Sequence, residues 1–190
     1  MRVYGAEVVG TFLLVLFGTG AVASAVLTGA HQGLWQVAVV WGFGVTLAIY
    51  ATATISGAHL NPAVTLAFAI FRPERFQRKL LPGYWAAQLL GGVLAGLVIL
   101  VTFGPFIDRF EDDRGLVRGE AGSEHSAMVF GEYFPNPDIF GTDSAAHDLV
   151  SPLAAMGVEA LGTAILVLMI FALVDDRNGR PAGKMTALFI

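Results

Sequence analysis

The residues best suited to chemistry lie in the segment SGAHLNPAVT (56–65), which places His59, Asn61 and Pro62 inside a long uncharged stretch. Asn is a preferred N-cap residue, and Pro is favoured at the first helical position because its missing N–H would be unpaired there. The pair predicts a short helix over about 62–71, capped by the side-chain oxygen of Asn61. The Asn61 amide would keep two donors, which are costly in hydrocarbon and tolerable beside water.

The residues before this helix, Gly57, Ala58, His59 and Leu60, are predicted to be extended, with carbonyls that no helix satisfies. Such backbone occurs at membrane depth only where protein buries it or water lines it. A row of carbonyls leading to the Asn61 amide suits a polar solute, and the positive helix end would repel cations, including hydronium. These features predict a pore. Two alternatives stay open, namely an ordinary helix start at the membrane interface and a packed His59 outside any lumen.

The composition indicates which elements position these residues. The 190 residues are 55% hydrophobic and 14% charged, with a mean hydropathy of +0.68, whereas soluble domains carry about 25% charged residues. Residues 8–71 contain no Asp, Glu, Lys or Arg, which exceeds two spans of about 20 residues. We predict an all-α polytopic membrane protein with spans at about 5–27, 36–56, 83–104 and 150–174. The chain has no cysteine and only scattered histidines, so neither an enzyme nor a metal or other cofactor is expected.

The placement of basic residues predicts the orientation. Eight of the eleven fall on one side of the predicted spans, namely Arg2, Arg72, Arg75, Arg78, Lys79, Arg177, Arg180 and Lys184. The bias puts the N-terminus in the cytoplasm, in a multi-pass protein of the cell membrane, and leaves 105–149 as a long external loop. Residues 57–71 must then enter and leave by the same face, so the short helix is predicted to be re-entrant.

An internal repeat relates GAEVVGTFLLVL (5–16) to GVEALGTAILVL (157–168), with seven of twelve positions identical. Three predicted crossings separate the copies, so the repeat is inverted, as in many transporters. Glu7 and Glu159 are the only acids predicted inside spans, either as a proton or ion site or, as we prefer, as acceptors that brace one re-entrant loop each.

The repeat also predicts a second HLNPA-like element near position 213, beyond residue 190. We therefore expect a truncated copy of a longer protein. Its first repeat would span 1–104, followed by the external loop at 105–149. An incomplete second repeat would occupy 150–190, ending at the start of a fifth span.

The repeat and SGAHLNPAVT together resemble the major intrinsic proteins, the aquaporins and glycerol facilitators, over essentially the whole chain. The resemblance implies six spans and two half-helices that meet at the membrane centre, in a tetramer with one pore per subunit. It makes Asn61, Pro62 and Ala63 the first asparagine–proline–alanine motif, and it gives pore carbonyls to the residues just before them. The second motif and the filter arginine that follows it are absent from this sequence.

Within the family the chain is similar to the glycerol-facilitator branch. Trp41 in VVWGFGV (39–45) stands where that branch carries a filter tryptophan, and VFGEYFPNP (129–137) and DDRNG (175–179) also resemble it. The alternative for Trp41 is an interfacial belt residue, a role that Trp35 fits better because Trp41 lies about 9 Å deeper along a helix. Gly92 and Gly96 are expected to allow close helix packing.

The leading hypothesis is passive conduction of glycerol and similar small neutral solutes, with water as a further solute, and exclusion of protons and ions. The expected partners are a small polyol, water, the lipid bilayer and, in the complete protein, a homotetramer, with no nucleic acid. The alternatives are an ion- or proton-coupled transporter that uses Glu7 and Glu159, and a non-conducting fragment.

Overall fold

The computed structural model describes residues 1–31, 33–178, 183–188 and 190, and those ranges contain helices and no strand. Of the residues named in the sequence analysis, Gly179 and Arg180 lie outside the described ranges. The α-helices are α1 (Arg2–Thr28), α2 (Leu34–Ser56), α3 (Pro62–Phe71), α4 (Leu81–Arg114), α5 (Glu124–Ala127), α6 (Pro137–Phe140), α7 (Ser144–Leu149) and α8 (Pro152–Val174). Short 3₁₀ turns occupy Arg78–Leu80, Asp176–Asn178 and Gly183–Leu188.

Four helices of the described chain, α1, α2, α4 and α8, are long and apolar enough to cross a membrane. The all-α polytopic fold and the four predicted spans are therefore confirmed. The short helix α3 has the predicted bounds, and its ten residues cannot cross a hydrocarbon core of about 30 Å at 1.5 Å per residue.

The third span is longer than predicted, because α4 continues ten residues beyond the predicted end at 104. Its last turns are polar, yet they are stabilised by their own contacts. Ile107 and Phe110 are buried, the Arg114 guanidinium lies 3.6 Å from the centre of the Phe110 ring, and Gly115 ends the helix in the left-handed conformation. The predicted polar segment therefore begins as helix rather than loop.

Helix α1 forms the centre of the packing and contacts both α2 and α4. It approaches α4 closely at Gly91, where an added Cβ atom would lie 2.5 Å from the Val8 carbonyl oxygen. The expectation for Gly92 and Gly96 was wrong, because an added Cβ at either residue would meet nothing within 4 Å. The close approach of α1 and α4 therefore depends on Gly91.

Helix α8, all of which is described, contains no buried residue and contacts the rest of the chain mainly through α3. Beyond α4, the polar segment is held to the helices by Val129, which is fully buried against Ala23, Ile99 and Ile107. The spans thus form a packed group of α1, α2 and α4, with α3 between that group and α8.

Candidate functional site

Helix α3 begins as the Asn–Pro pair predicts. Asn61 has an extended backbone, and its side-chain Oδ1 accepts hydrogen bonds from the N–H groups of Ala63 at 2.7 Å and Val64 at 3.3 Å. Pro62 occupies the first helical position, and its carbonyl accepts a hydrogen bond from the Trp85 indole at 3.0 Å. The start of α3 is therefore fixed both by its own cap and by α4.

The segment before α3, residues 57–60, turns through conformations that side chains rarely adopt. Gly57 has φ 87°, and the non-glycine residues Ala58 and Leu60 have φ 50° and 52°. The left-handed region costs a non-glycine residue about 1–2 kcal/mol, and such strain persists only where the surroundings determine it. The segment therefore needs strong partners, and α1 supplies one.

That partner is the Glu7 carboxylate of α1, which is fully buried and accepts four hydrogen bonds. Oε1 receives the Ser56 hydroxyl at 2.6 Å and the His59 N–H at 3.1 Å. Oε2 receives the Leu60 N–H at 2.9 Å and the Gln88 side-chain amide at 2.8 Å. A carboxylate offers about four lone-pair sites, so this set fills them.

The Glu7 contacts also set the direction of the carbonyls in residues 57–59. The peptide bonds here are trans, so the C=O and N–H of one peptide unit point in opposite directions. Because the N–H groups of His59 and Leu60 point to Glu7, the carbonyls of Ala58 and His59 point away from it. The Ala58 N–H donates to the Ser56 hydroxyl at 3.1 Å, which turns the Gly57 carbonyl away from that hydroxyl. The segment therefore has a donor side that is satisfied by protein and a side that presents acceptors.

Three polar side chains that the sequence analysis did not single out support this arrangement. Gln88, which is buried, donates through Nε2 to Thr65 Oγ1 at 2.8 Å as well as to Glu7, and Thr65 donates to the Asn61 carbonyl at 2.9 Å. Tyr84 donates to the Ser56 carbonyl at 2.7 Å. Gln88 could have been found, because it is an amide in the charge-free stretch 80–107.

His59 is packed rather than exposed. Its ring stacks on Phe68 with centroids 4.6 Å apart and lies 4.9 Å from Phe76 and 5.2 Å from Tyr84. Its Nδ1 is buried and has no hydrogen-bond partner in the described part of the chain. A cavity of about 330 Å³ is nevertheless lined by Gly57 and His59 together with Arg75 and Val174. The His59 side chain is thus packed among aromatic rings and also forms part of the wall of this cavity.

The remaining predicted site residues lie apart from Glu7. The Trp41 ring lies against Gly18 of α1, where an added Cβ would be 2.3 Å from it. Glu159 is exposed on α8 and lines a groove of about 730 Å³, whose opposite wall includes Ala63. Across the described ranges, no group of three or more His, Asp or Glu could hold a metal ion.

Comparison with known proteins identifies relatives of the whole chain. The family model described as major intrinsic protein matches residues 1–190. The glycerol uptake facilitator protein of Pseudomonas aeruginosa is 40% identical over 185 residues, which are 97% of this chain and 61% of that protein. The propanediol uptake facilitator PduF of Citrobacter freundii is 40% identical over 187 residues, covering 97% of this chain and 64% of that protein.

A solved structure, the aquaglyceroporin from Plasmodium falciparum, is similar to this chain with a TM-score of 0.71 and 25% sequence identity. The match covers 98% of this chain and 67% of that one. The chain therefore spans less than two thirds of the length of the two bacterial relatives and has the same fold as the aquaglyceroporin over nearly all of its own length.

Proposed function

The chain belongs to the major intrinsic protein family, and from that premise we propose that the complete protein is a passive channel for glycerol and similar small neutral solutes. One observation carries the proposal. The N–H groups of His59 and Leu60 point to Glu7, so the carbonyls of Ala58 and His59 point to the other side, in the segment that leads to the capped start of α3. A protein of this family is not an enzyme, and the proposed transport needs neither a covalent step nor a cofactor.

The proposed path gives each residue a simple role. The carbonyls of Gly57, Ala58 and His59, with Leu60 as the last residue of the row, accept hydrogen bonds from solute hydroxyls. The Asn61 Oδ1 already accepts the N–H groups of Ala63 and Val64, so the NH₂ group of Asn61 serves as the donor to the solute. A polyol can exchange water for these partners at little cost, because a buried polar group is expensive only when unpaired.

Three further roles belong to the same proposal. Pro62 and Ala63 complete the motif that directs the positive end of α3 toward the path, which disfavours cations and hydronium. Trp41 is the apolar side of the filter, against which the carbons of a polyol pass. Glu159 braces the re-entrant loop of the second repeat as Glu7 does in the first.

The setting of the channel is part of the proposal. The protein lies in the cell membrane with its N-terminus in the cytoplasm, where the basic residues at 72–79 support that orientation. Its bilayer-embedded subunits form a homotetramer, and the chain divides at 104 and 149 into a first repeat, an external loop and an incomplete second repeat. The names of the relatives, which mention glycerol and propanediol, support small polyols as solutes, with water as a further one.

The test is glycerol flux into proteoliposomes that contain the complete protein, followed by light scattering after a glycerol gradient is applied. We expect shrinkage followed by rapid re-swelling, at a rate proportional to the gradient and unchanged by a protonophore. A folded tetramer that re-swells no faster than empty liposomes would refute the channel.

The same vesicles separate the two alternatives. An ion- or proton-coupled transporter that uses Glu7 and Glu159 would saturate with solute and lose accumulation when the protonophore is added. The 190-residue chain reconstituted alone tests the third possibility. If it is a non-conducting fragment, its vesicles behave as empty liposomes while those of the complete protein re-swell.

A further inference from the structure

The groove between α3 and α8 has walls of unequal character. The α3 wall carries no polar side chain and consists of Ala63, Ala67 and Phe71, whereas the α8 wall carries Glu159 and Thr163 among alanines and larger apolar side chains. Its width depends on the separation of α3 and α8. Since no residue of α8 is buried, that separation depends on few contacts.

Those contacts are concentrated at the end of the groove where both helices end. The rings of Phe68 and Phe171 meet edge to face with centroids 5.0 Å apart. The Arg72 guanidinium, directly after α3, lies 5.1 Å from the centre of the Phe171 ring and 3.5 Å from the Asp175 carboxylate. Both charged side chains are partly buried, with exposed fractions of 29% and 15%.

A second arginine repeats the connection three residues later. Arg75 donates through Nη1 to the Val174 carbonyl at 2.9 Å and contacts the Asp176 carboxylate through Nη2 at 3.3 Å. Val174 is the last residue of α8, and its carbonyl is one of the helix-end acceptors that lack an intrahelical partner. A cation at a helix C-terminus is also favoured by the helix dipole.

We propose that Arg72 and Arg75 form an arginine bridge, defined by their contacts with Phe171, Val174, Asp175 and Asp176, and that Arg72 is a positioning residue that sets the width of the groove. The inference rests on the proposed function, since the groove then forms part of the solute path. It assigns size discrimination in part to the contacts that join α3 and α8 at one end of the groove, where Arg72 and Phe171 are also lining residues.

The chemistry of the bridge favours a lasting contact. Hydrogen bonds from Arg177, and in smaller measure the charge of Arg72, hold the pKa of the Asp175 carboxyl well below its ordinary value. Asp175 therefore stays ionised at neutral pH. The planar guanidinium of Arg72 can contact a ring face and a carboxylate at once, which the ammonium of Lys does less well.

The experiment measures a ratio, the permeability to glycerol divided by that to a five-carbon polyol, in proteoliposomes of the complete protein. A ratio does not depend on how much protein folds, so a merely structural role would leave it unchanged. We expect Arg72→Glu to lower the ratio about fivefold, within the range of coupling between contacting residues. Arg72→Lys should lower it less, and the exchanged pair Arg72→Asp with Asp175→Arg should restore much of it.

Arg109→Glu is the matched control, because it makes the same charge change in an exposed pair with Asp113 at 3.6 Å within α4. It should leave the ratio unchanged. If Arg72→Glu does not fold, Arg72→Gln carries the test. A wild-type permeability ratio in both Arg72→Glu and Arg72→Gln would overturn the proposed role of the arginine bridge.

A second measurement does not require transport. Amide hydrogen exchange over residues 68–76 should be faster in Arg72→Gln than in the wild type, and equal protection would also overturn the inference. Wild-type vesicles that conduct no polyol would instead refute the proposed function, so the two failures are distinguishable.

Discussion

The replacement Glu7→Gln tests the central contact of the site. The carboxylate accepts four hydrogen bonds, two at each oxygen. An amide of the same size keeps one oxygen and replaces the other with an NH₂ group, which is a donor. Two of the four donors would therefore face another donor.

The expected cost follows from those two contacts. A hydrogen bond to a charged group contributes about 1.5–3 kcal/mol, so the loss of two amounts to about 3–6 kcal/mol. The Glu7 side chain is fully buried, so water does not readily replace the lost acceptor. The N–H groups of His59 and Leu60 cannot both keep a partner unless Ser56 or Gln88 gives one up.

Amide hydrogen exchange in detergent micelles measures this loss at the residues concerned. Since 1.36 kcal/mol corresponds to a factor of ten, a loss of 3–6 kcal/mol accelerates exchange at His59 or Leu60 by about 10²- to 10⁴-fold. Amides in the middle of α4 should change less, because that helix satisfies its own backbone groups.

Glu132→Gln is the control, because Glu132 is exposed in the polar segment and its replacement should cost less than about 0.5 kcal/mol. The reasoning would be refuted if exchange at both His59 and Leu60 in Glu7→Gln stayed within about threefold of the Glu132→Gln rates. That result would mean that the segment holds its shape without the carboxylate.

Two further predictions use matched pairs within the chain. Gly91→Ala places a Cβ 2.5 Å from the Val8 carbonyl oxygen and should lower the free energy of unfolding by about 1–3 kcal/mol, whereas Gly92→Ala should change it very little. Thermal melting in detergent compares the two variants, and equal melting midpoints would contradict the close approach at Gly91. Asn61→Ala and Asn136→Ala each remove the N-cap of a helix that begins with Pro, and each should lower the free energy of unfolding by about 0.5–2 kcal/mol. Only Asn61→Ala should reduce glycerol flux in proteoliposomes, and an equal reduction by both variants would exclude a special role for Asn61.

The same comparison of Asn–Pro pairs shows what the sequence can predict. Asn61–Pro62 and Asn136–Pro137 both start helices, as local propensity predicts, because the cap and the missing N–H act within one turn. Only the first starts a ten-residue apolar helix between long spans. The uncharged surroundings distinguished the two pairs, so the short helix and the four spans could be predicted from composition and local signals.

The contacts that hold the site could not be predicted in the same way. Gln88 meets Glu7 across 81 positions of sequence, and Arg72 meets Asp175 across 103. No local signal indicates which residues of α4 face α1. We expected close packing at Gly92, and the structure has it at the adjacent residue, Gly91. The end of α4 was missed for a related reason, since its polar last turns are stabilised by contacts such as Arg114 with Phe110.

In the proposed channel, the geometry of residues 57–60 links stability to transport through a single carboxylate. A trans peptide unit cannot turn its N–H toward Glu7 without turning its C=O the other way, so the contacts that hold the segment also determine which atoms are presented to a solute. The positive φ values at Ala58 and Leu60 reinforce this, because they are unfavourable in the absence of those contacts. A change at Glu7 that loosens the segment must therefore also disorder the row of carbonyls. If the proposed path is correct, fold stability and conduction at this site are two consequences of the same hydrogen bonds, and we expect no variant of Glu7 to lose one while keeping the other.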